Sequence, residues 1–130
     1  DVLVVEDQPD VRKAAVRLCR QVGLQPVAVA SAAEALDALG SGLRFDLLFT
    51  DIVLGGDMDG LELAEAATRV QPSLAVVCTS GYAEQQVGAA RPGLPGLETL
   101  SKPYDIRRFR EAVGRALAAA AAREAVVVAG

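Results

Sequence analysis

The chain has 130 residues, 52% of them hydrophobic and 23% charged, with 13 basic against 17 acidic side chains for a formal charge of −4. That is the length of one ordinary domain, able to bury a core without disulfides or a structural metal, and its mild acidity offers no basic face to nucleic acid or an anionic membrane. The longest uncharged stretch, Val70 to Ala83, is short and interrupted by Pro72 and Gly81, so it does not make a membrane span. The absence of histidine removes His-based general base catalysis, a Ser-His-Asp triad, His-containing metal sites and phosphohistidine chemistry on this chain. Cys19 and Cys78 both lie in apolar settings and read as buried thiols in a reducing compartment. The start at Asp1, without methionine and just ahead of a strand, leads us to expect a segment trimmed from something longer.

Strands and helices alternate along the chain. Val2 to Val5 is a continuous apolar run rich in β-branched valine, the pattern of a strand buried on both faces of a parallel sheet. Helical spacing of Val11, Ala14, Ala15, Leu18 and Val22 predicts a first helix over Pro9 to Gln21, with Pro9 in its first turn and Gly23 as its stop. A second strand follows at Val27 to Val29. Ser31 with Glu34 three residues later predicts a capping box opening a helix that ends at Gly40. Phe45 to Thr50 reads as the third strand, Asp59 to Val70 as a helix stopped before Pro72, and Leu74 to Cys78 as the fourth strand. Glycines and prolines between Tyr82 and Gly96 leave room only for a short helix at Ala83 to Ala90. A brief fifth strand at Leu97 to Leu100 and a long helix from Tyr104 complete the order, with residues 1–122 as the domain and 123–130 as a C-terminal tail. Strands joined by helical crossovers predict a single doubly wound five-stranded parallel α/β sheet.

Ligands of such sheets bind beyond the carboxyl ends of the strands. Those positions hold Glu6 and Asp7, then Asp51, then Thr79 and Ser80, then Ser101 and Lys102. Carboxylates brought together raise one another's pKa unless a cation sits among them, and an oxygen-only set with room for water and phosphate suits Mg2+. Metal, hydroxyl and lysine together can neutralise a transferring phosphoryl group, and a carboxylate can itself be the nucleophile. Asp51, at the end of the central strand, is best placed for that role. Glu6, Asp7, Asp51 and the backbone carbonyl of Val53 are the candidate metal ligands.

These residues and their spacing, Glu6-Asp7, Asp51, Ser80-Gly81 and Lys102-Pro103, resemble the receiver domain of bacterial two-component response regulators, over Val2 to about Ala120. The segments Thr50 to Gly60 and Cys78 to Tyr82 look most like receivers attached to hybrid sensor histidine kinases. The resemblance implies a flavodoxin-like (βα)5 fold with strand order 2-1-3-4-5, Asp51 as phosphoacceptor, Glu6 and Asp7 as holders of Mg2+, Ser80 as switch hydroxyl and Lys102 in contact with the phosphoryl group. It also implies a cytoplasmic protein whose partner is a histidine kinase or histidine phosphotransfer domain, including a covalently attached sensor kinase, with no nucleic acid or membrane contact by this segment. Such a domain is no enzyme beyond its own aspartyl phosphorylation and dephosphorylation.

Three departures stand out. Gly55 occupies a position where the family carries proline, and Gly60 comes one residue late, predicting a longer, looser loop. The position three before the lysine, an aromatic that swings inward in the family, is Thr99. The stretch from Gly81 to Gly96 is rich in helix breakers, and with Thr99 too small to couple site and surface we expect coupling through that loop. Taken singly, each residue has a plainer reading: Asp7 and Asp51 as helix N-caps, Ser80 as a turn hydroxyl, Asp57 and Asp59 as loop and N-cap residues, and Arg107, Arg108 and Arg110 as a solvated helix face; Thr79 leaves the register of the site hydroxyl open, with Ser80 favoured because Gly81 follows it. Lys102 is one of two lysines beside eleven arginines, which favours a required point charge. A phosphorylation-silent binding module is the alternative function. A flavin or nucleotide binder, or an Asp-x-Asp phosphatase, fits poorly, because the loop Glu6 to Asp10 is acidic and Val53 stands two residues after Asp51.

Overall fold

A computed structural model describes residues 1–56, 58–81 and 97–129. In chain order the elements are β1 (Val2–Val5), α1 (Pro9–Gln21), β2 (Pro26–Val29), α2 (Ala32–Gly40), β3 (Leu47–Asp51), α3 (Gly60–Val70), β4 (Ala75–Ser80), β5 (Glu98–Ser101) and α4 (Ile106–Ala129). The strands form one sheet of order β2-β1-β3-β4-β5, all pairs parallel. The short helix expected at Ala83 to Ala90 lies outside the described residues.

Side chains alternate across the sheet and are buried on both sides, which is why β1 reads as an unbroken apolar run and β3 opens on Leu47, Leu48 and Phe49. Leu3, Val5, Leu48, Val76 and Cys78 meet Ala35 and Leu39 of α2 and Leu63, Ala64 and Ala67 of α3. Val2, Val4, Leu47, Phe49, Ala75 and Val77 meet Ala15 and Cys19 of α1 and Phe109, Ala112, Val113 and Ala116 of α4. The sheet is thereby wound on both faces. Cys19 and Cys78 are free thiols in these two cores, and burial pushes them up to about 11 and about 12 respectively.

Local chemistry sets the boundaries. β2 starts at Pro26, one residue earlier than expected, because an edge strand needs no ladder hydrogen bond from its first residue. β3 starts at Leu47 because the Phe45 amide donates to Gln71 Oε1 (3.0 Å) instead of to a strand. β4 runs on to Ser80, its last residues pairing with Leu100 and Ser101. Asp105 Oδ1 accepts from the Arg108 amide (2.9 Å) and so starts α4 two residues after Tyr104. The capping box expected at α2 forms by half: Ser31 Oγ accepts from the Glu34 amide (3.2 Å), but Glu34 Oε2 reaches the Ala30 amide. The reciprocal box is at α3, where Asp59 Oδ1 accepts from the Glu62 amide (2.7 Å) and Glu62 Oε1 from the Asp59 amide (3.1 Å). The residues from Arg123 on, expected as a tail, are helical through Ala129. Their alanine-rich approach has no breaker before Gly130, and Arg123 Nη2 donates to the Leu74 carbonyl (2.9 Å) at the foot of β4.

The loop between β3 and α3 is fastened at several points. Gly60, the first residue of α3, donates its amide to the Ile52 carbonyl (2.7 Å), and the Ile52 amide donates to the Thr79 carbonyl (3.0 Å). A Cβ on Gly60 would overlap the carbonyl group of Asp51, so only glycine lets the helix close onto the strand end here. The late glycine is therefore a point of contact and not slack.

Two stability predictions follow from this packing. Phe109 is fully buried, with its ring edge-on to Phe49 at 5.1 Å between centroids, so Phe109→Ala should cost about 3–5 kcal/mol in urea unfolding, whereas Leu43→Ala, at a side chain 56% exposed, should change stability by less than about 0.5 kcal/mol. Gly60→Ala should cost about 1–3 kcal/mol by forcing the Asp51 backbone aside. Gly55→Ala should cost less, since its Cβ would meet only the end of the Asp7 side chain, at 3.2 Å. Equal losses for Gly55→Ala and Gly60→Ala would contradict this account of the loop.

Candidate functional site

The strand registers bring the candidate residues to one edge. Val5 pairs with Thr50, Asp51 with Thr79, and Ser80 with Ser101, so the segments that follow β1, β3, β4 and β5 leave the sheet side by side. Asp51 is the last residue of the central strand, its side chain 11% exposed. Lys102 Nζ reaches Asp51 Oδ2 at 2.7 Å, while Asp51 Oδ1 accepts a longer hydrogen bond from the Val53 amide (3.3 Å). Both oxygens of the carboxylate are thus held, one by a charge and one by backbone.

Lys102 is aimed by its own backbone. Its amide donates to the Ser80 carbonyl (2.8 Å), carrying the β4–β5 ladder one step past the strand, and the peptide to Pro103 is cis. Ser80 and Thr79 are both buried. Thr79 lies in register with Asp51, and Ser80 is bonded through its carbonyl to the residue that grips Asp51.

The acidic turn after β1 is braced in the same way. Glu6 Oε1 accepts from the Gln8 amide (3.1 Å), the Glu6 carbonyl accepts from Arg12 Nη1 (2.8 Å), and Asp7 Oδ2 accepts from the Gly55 amide (3.2 Å). The last of these ties the β1 turn to the β3–α3 loop. Asp7 and Lys102 are exposed, and Glu6 is buried.

The chemistry of this donor set fits a hard divalent cation. Burial pushes the Glu6 carboxyl up to about 7, opposed by the Gln8 amide and reinforced by the hydrogen-bonded Asp7 carboxyl and the charge of Asp51, with Lys102 pulling down. A cation beside these carboxylates would favour their charged forms. Among the described residues no group of three or more carboxylate, thiol or imidazole side chains is placed to hold a metal ion. The acidic side chains at this edge, Glu6, Asp7 and Asp51, offer oxygen donors only, the kind that Mg2+ takes.

Thr99 is exposed on β5, in register with Cys78. Asp59 is the N-cap of α3, Arg107, Arg108 and Arg110 are exposed on α4, and Asp57 lies outside the described residues. Sequence reasoning gave no role to Arg12, which sits among polar positions of an amphipathic helix and carries no motif, and it took Tyr104 only as a helix start. Tyr104 packs against Phe49 and Phe109. Its place two residues after Lys102 was the available signal.

Among the described residues no helix is long and apolar enough to cross a membrane. Comparison with known proteins matches residues 2–114 to the response regulator receiver domain. The chain is 31% identical over 119 residues to the response regulator receiver protein CpdR of Brucella abortus, covering 92% of this chain and 98% of that protein. It is 30% identical over 113 residues to the sensor kinase CckA of the same organism, covering 86% of this chain but only 12% of the kinase. Among solved structures, a response regulator receiver protein from Sinorhizobium medicae superposes with a TM-score of 0.79 at 26% identity, covering 92% of this chain and 94% of that one. The fold, the strand order and these relationships agree, and the chain belongs to the response regulator receiver domain family of two-component signalling.

Proposed function

We propose that this receiver domain accepts a phosphoryl group on Asp51 from a phosphohistidine of a histidine kinase or histidine phosphotransfer protein, with Mg2+ as cofactor, and changes its surface in response. The observation that carries this reading is the 2.7 Å contact of Lys102 Nζ with a carboxylate that is almost wholly buried at the sheet edge. An ordinary solvated lysine has no reason to be threaded onto such a group.

In the proposed reaction an Asp51 carboxylate oxygen attacks phosphorus as the bond from phosphorus to the donor's imidazole nitrogen breaks. The electron pair of that bond leaves with the imidazole, and an acyl phosphate remains on Asp51. The Val53 amide fixes the orientation of the carboxylate. Lys102 passes from a carboxylate oxygen to a phosphoryl oxygen without leaving the site, since its ammonium offers three donors on a flexible stem. Ser80 supplies a hydroxyl that can donate to the phosphoryl group. Asp7, Asp51, Glu6 and the Val53 carbonyl would hold the Mg2+, which offsets negative charge on donor phosphate and carboxylate alike.

A cytoplasmic setting and covalent attachment to a sensor kinase belong to the same proposal. Similarity to the receiver portions of the larger proteins CckA and TorS supports them.

Incubation with a small-molecule phosphodonor should add the mass of one phosphoryl group with Mg2+ present and none after chelation. Asp51→Asn should abolish the gain, and unchanged uptake by that variant would refute the proposal. Asp7→Asn should first raise the Mg2+ concentration required. Lys102→Ala should slow the gain and remove the phosphorylation-dependent changes in the amide spectrum, and Lys102→Arg should also be impaired because a planar fork does not replace a point charge in a tight site. Wild-type spectral changes in either lysine variant would count against the assignment.

A further inference from the structure

The residue two positions beyond Lys102 is built into the core. Tyr104 is half-buried, edge-on to Phe49 at 6.3 Å and 77° and stacked on Phe109 at 6.4 Å and 20°, and Phe49 and Phe109 themselves meet edge-on at 5.1 Å. Each ring belongs to a different part of the machinery. Phe49 stands two residues before Asp51 on β3, Tyr104 lies on the segment that carries Lys102, and Phe109 is the fully buried anchor of the first turns of α4. Burial pushes the Tyr104 hydroxyl up to about 12, with Cys19 and then Glu6 and Asp51 acting on it in the same direction. Thr99, by contrast, is exposed and carries no ring.

We infer that Tyr104 is a positioning residue that couples the phosphorylation site to α4, moving with Lys102 against the Phe49–Phe109 pair. This rests on Asp51 being the phosphoacceptor. Lys102 and Tyr104 are separated by one residue, Pro103, whose ring fixes one backbone dihedral, so any displacement of the Lys102 backbone that accompanies its move to a phosphoryl oxygen is passed on and not absorbed by loop freedom. Close-packed rings respond by changing place as a unit, because interdigitated side chains leave no slack between them. The face carrying α1 and α4 thereby receives the signal.

The chain has two tyrosines and no tryptophan, which makes the test direct. With 3-fluorotyrosine incorporated and Tyr82→Phe in place, the one fluorine resonance reports Tyr104. It should shift when a small-molecule phosphodonor and Mg2+ are added, and it should still shift in Thr99→Ala. In separate amide spectra, Tyr104→Leu should take up phosphate as the parent does while losing the phosphorylation-linked shifts of Ile106 to Phe109, and Tyr104→Phe should retain them. Intact mass is read on each sample. A phosphorylated protein whose Tyr104 resonance stays at its resting position, with changes confined to Ser80 to Gly96, would overturn the inference. A sample that gains no phosphoryl mass would refute the phosphoacceptor reading, and the inference with it.

Discussion

The ion pair between Lys102 and Asp51 makes the strictest demand on the fold. Asp51 ends β3 and Lys102 follows β5, with β4 between them. The two backbones are two strand spacings apart, about 9–10 Å, and the 2.7 Å contact closes only if the lysine stem crosses the end of β4. The residues there are Thr79, Ser80 and Gly81, all small. A bulky side chain at that crossing would hold the charges apart. The strand registers, the continuation of the β4–β5 ladder through the Lys102 amide and the Ile52–Thr79 hydrogen bond all serve to keep β3, β4 and β5 level at this edge.

The acidic side of the site is organised by a different constraint. Glu6 is buried and acidic, and a buried carboxyl without a cation is costly in its charged form. The fold brings it there with the Gln8 amide on one oxygen and Arg12 on its carbonyl, which fixes the turn, while Asp7 and Asp51 add to the effect of burial. A structural N-cap alone would not require three acids at one edge.

Most of the architecture was legible because a doubly wound sheet writes itself in two periods. Val2 to Val5 could only be a strand buried on both faces, and the spacing of Val11, Ala15, Leu18 and Val22 gave α1 its bounds. The candidate site residues were legible for a related reason: in a parallel sheet, the residue after each strand is at the ligand edge whatever else the sequence does. Less visible were the features that depend on distance in space. The approach of Gly60 to the Asp51 carbonyl comes from helix-to-strand packing, and its one-residue displacement looked like slack. The reciprocal capping box formed at Asp59 and Glu62, where each side chain accepts from the other residue's amide, and not at Ser31 and Glu34, where Glu34 reaches past the cap to Ala30. Arg12 acts through a carbonyl and leaves no sequence pattern, and Tyr104 acts through ring packing, signalled only by its place two residues after Lys102.

Borohydride reduction of the protein after phosphodonor treatment tests the assignment of the site most directly, because it converts an acyl phosphate to an alcohol at the residue that carried it. Peptide mass analysis should then place a single reduced residue at position 51, formed with Mg2+ and absent after chelation. Reduction found at Glu6 or Asp7, or at position 51 in equal yield without the metal, would contradict the account of this edge as a magnesium-assisted phosphoacceptor site.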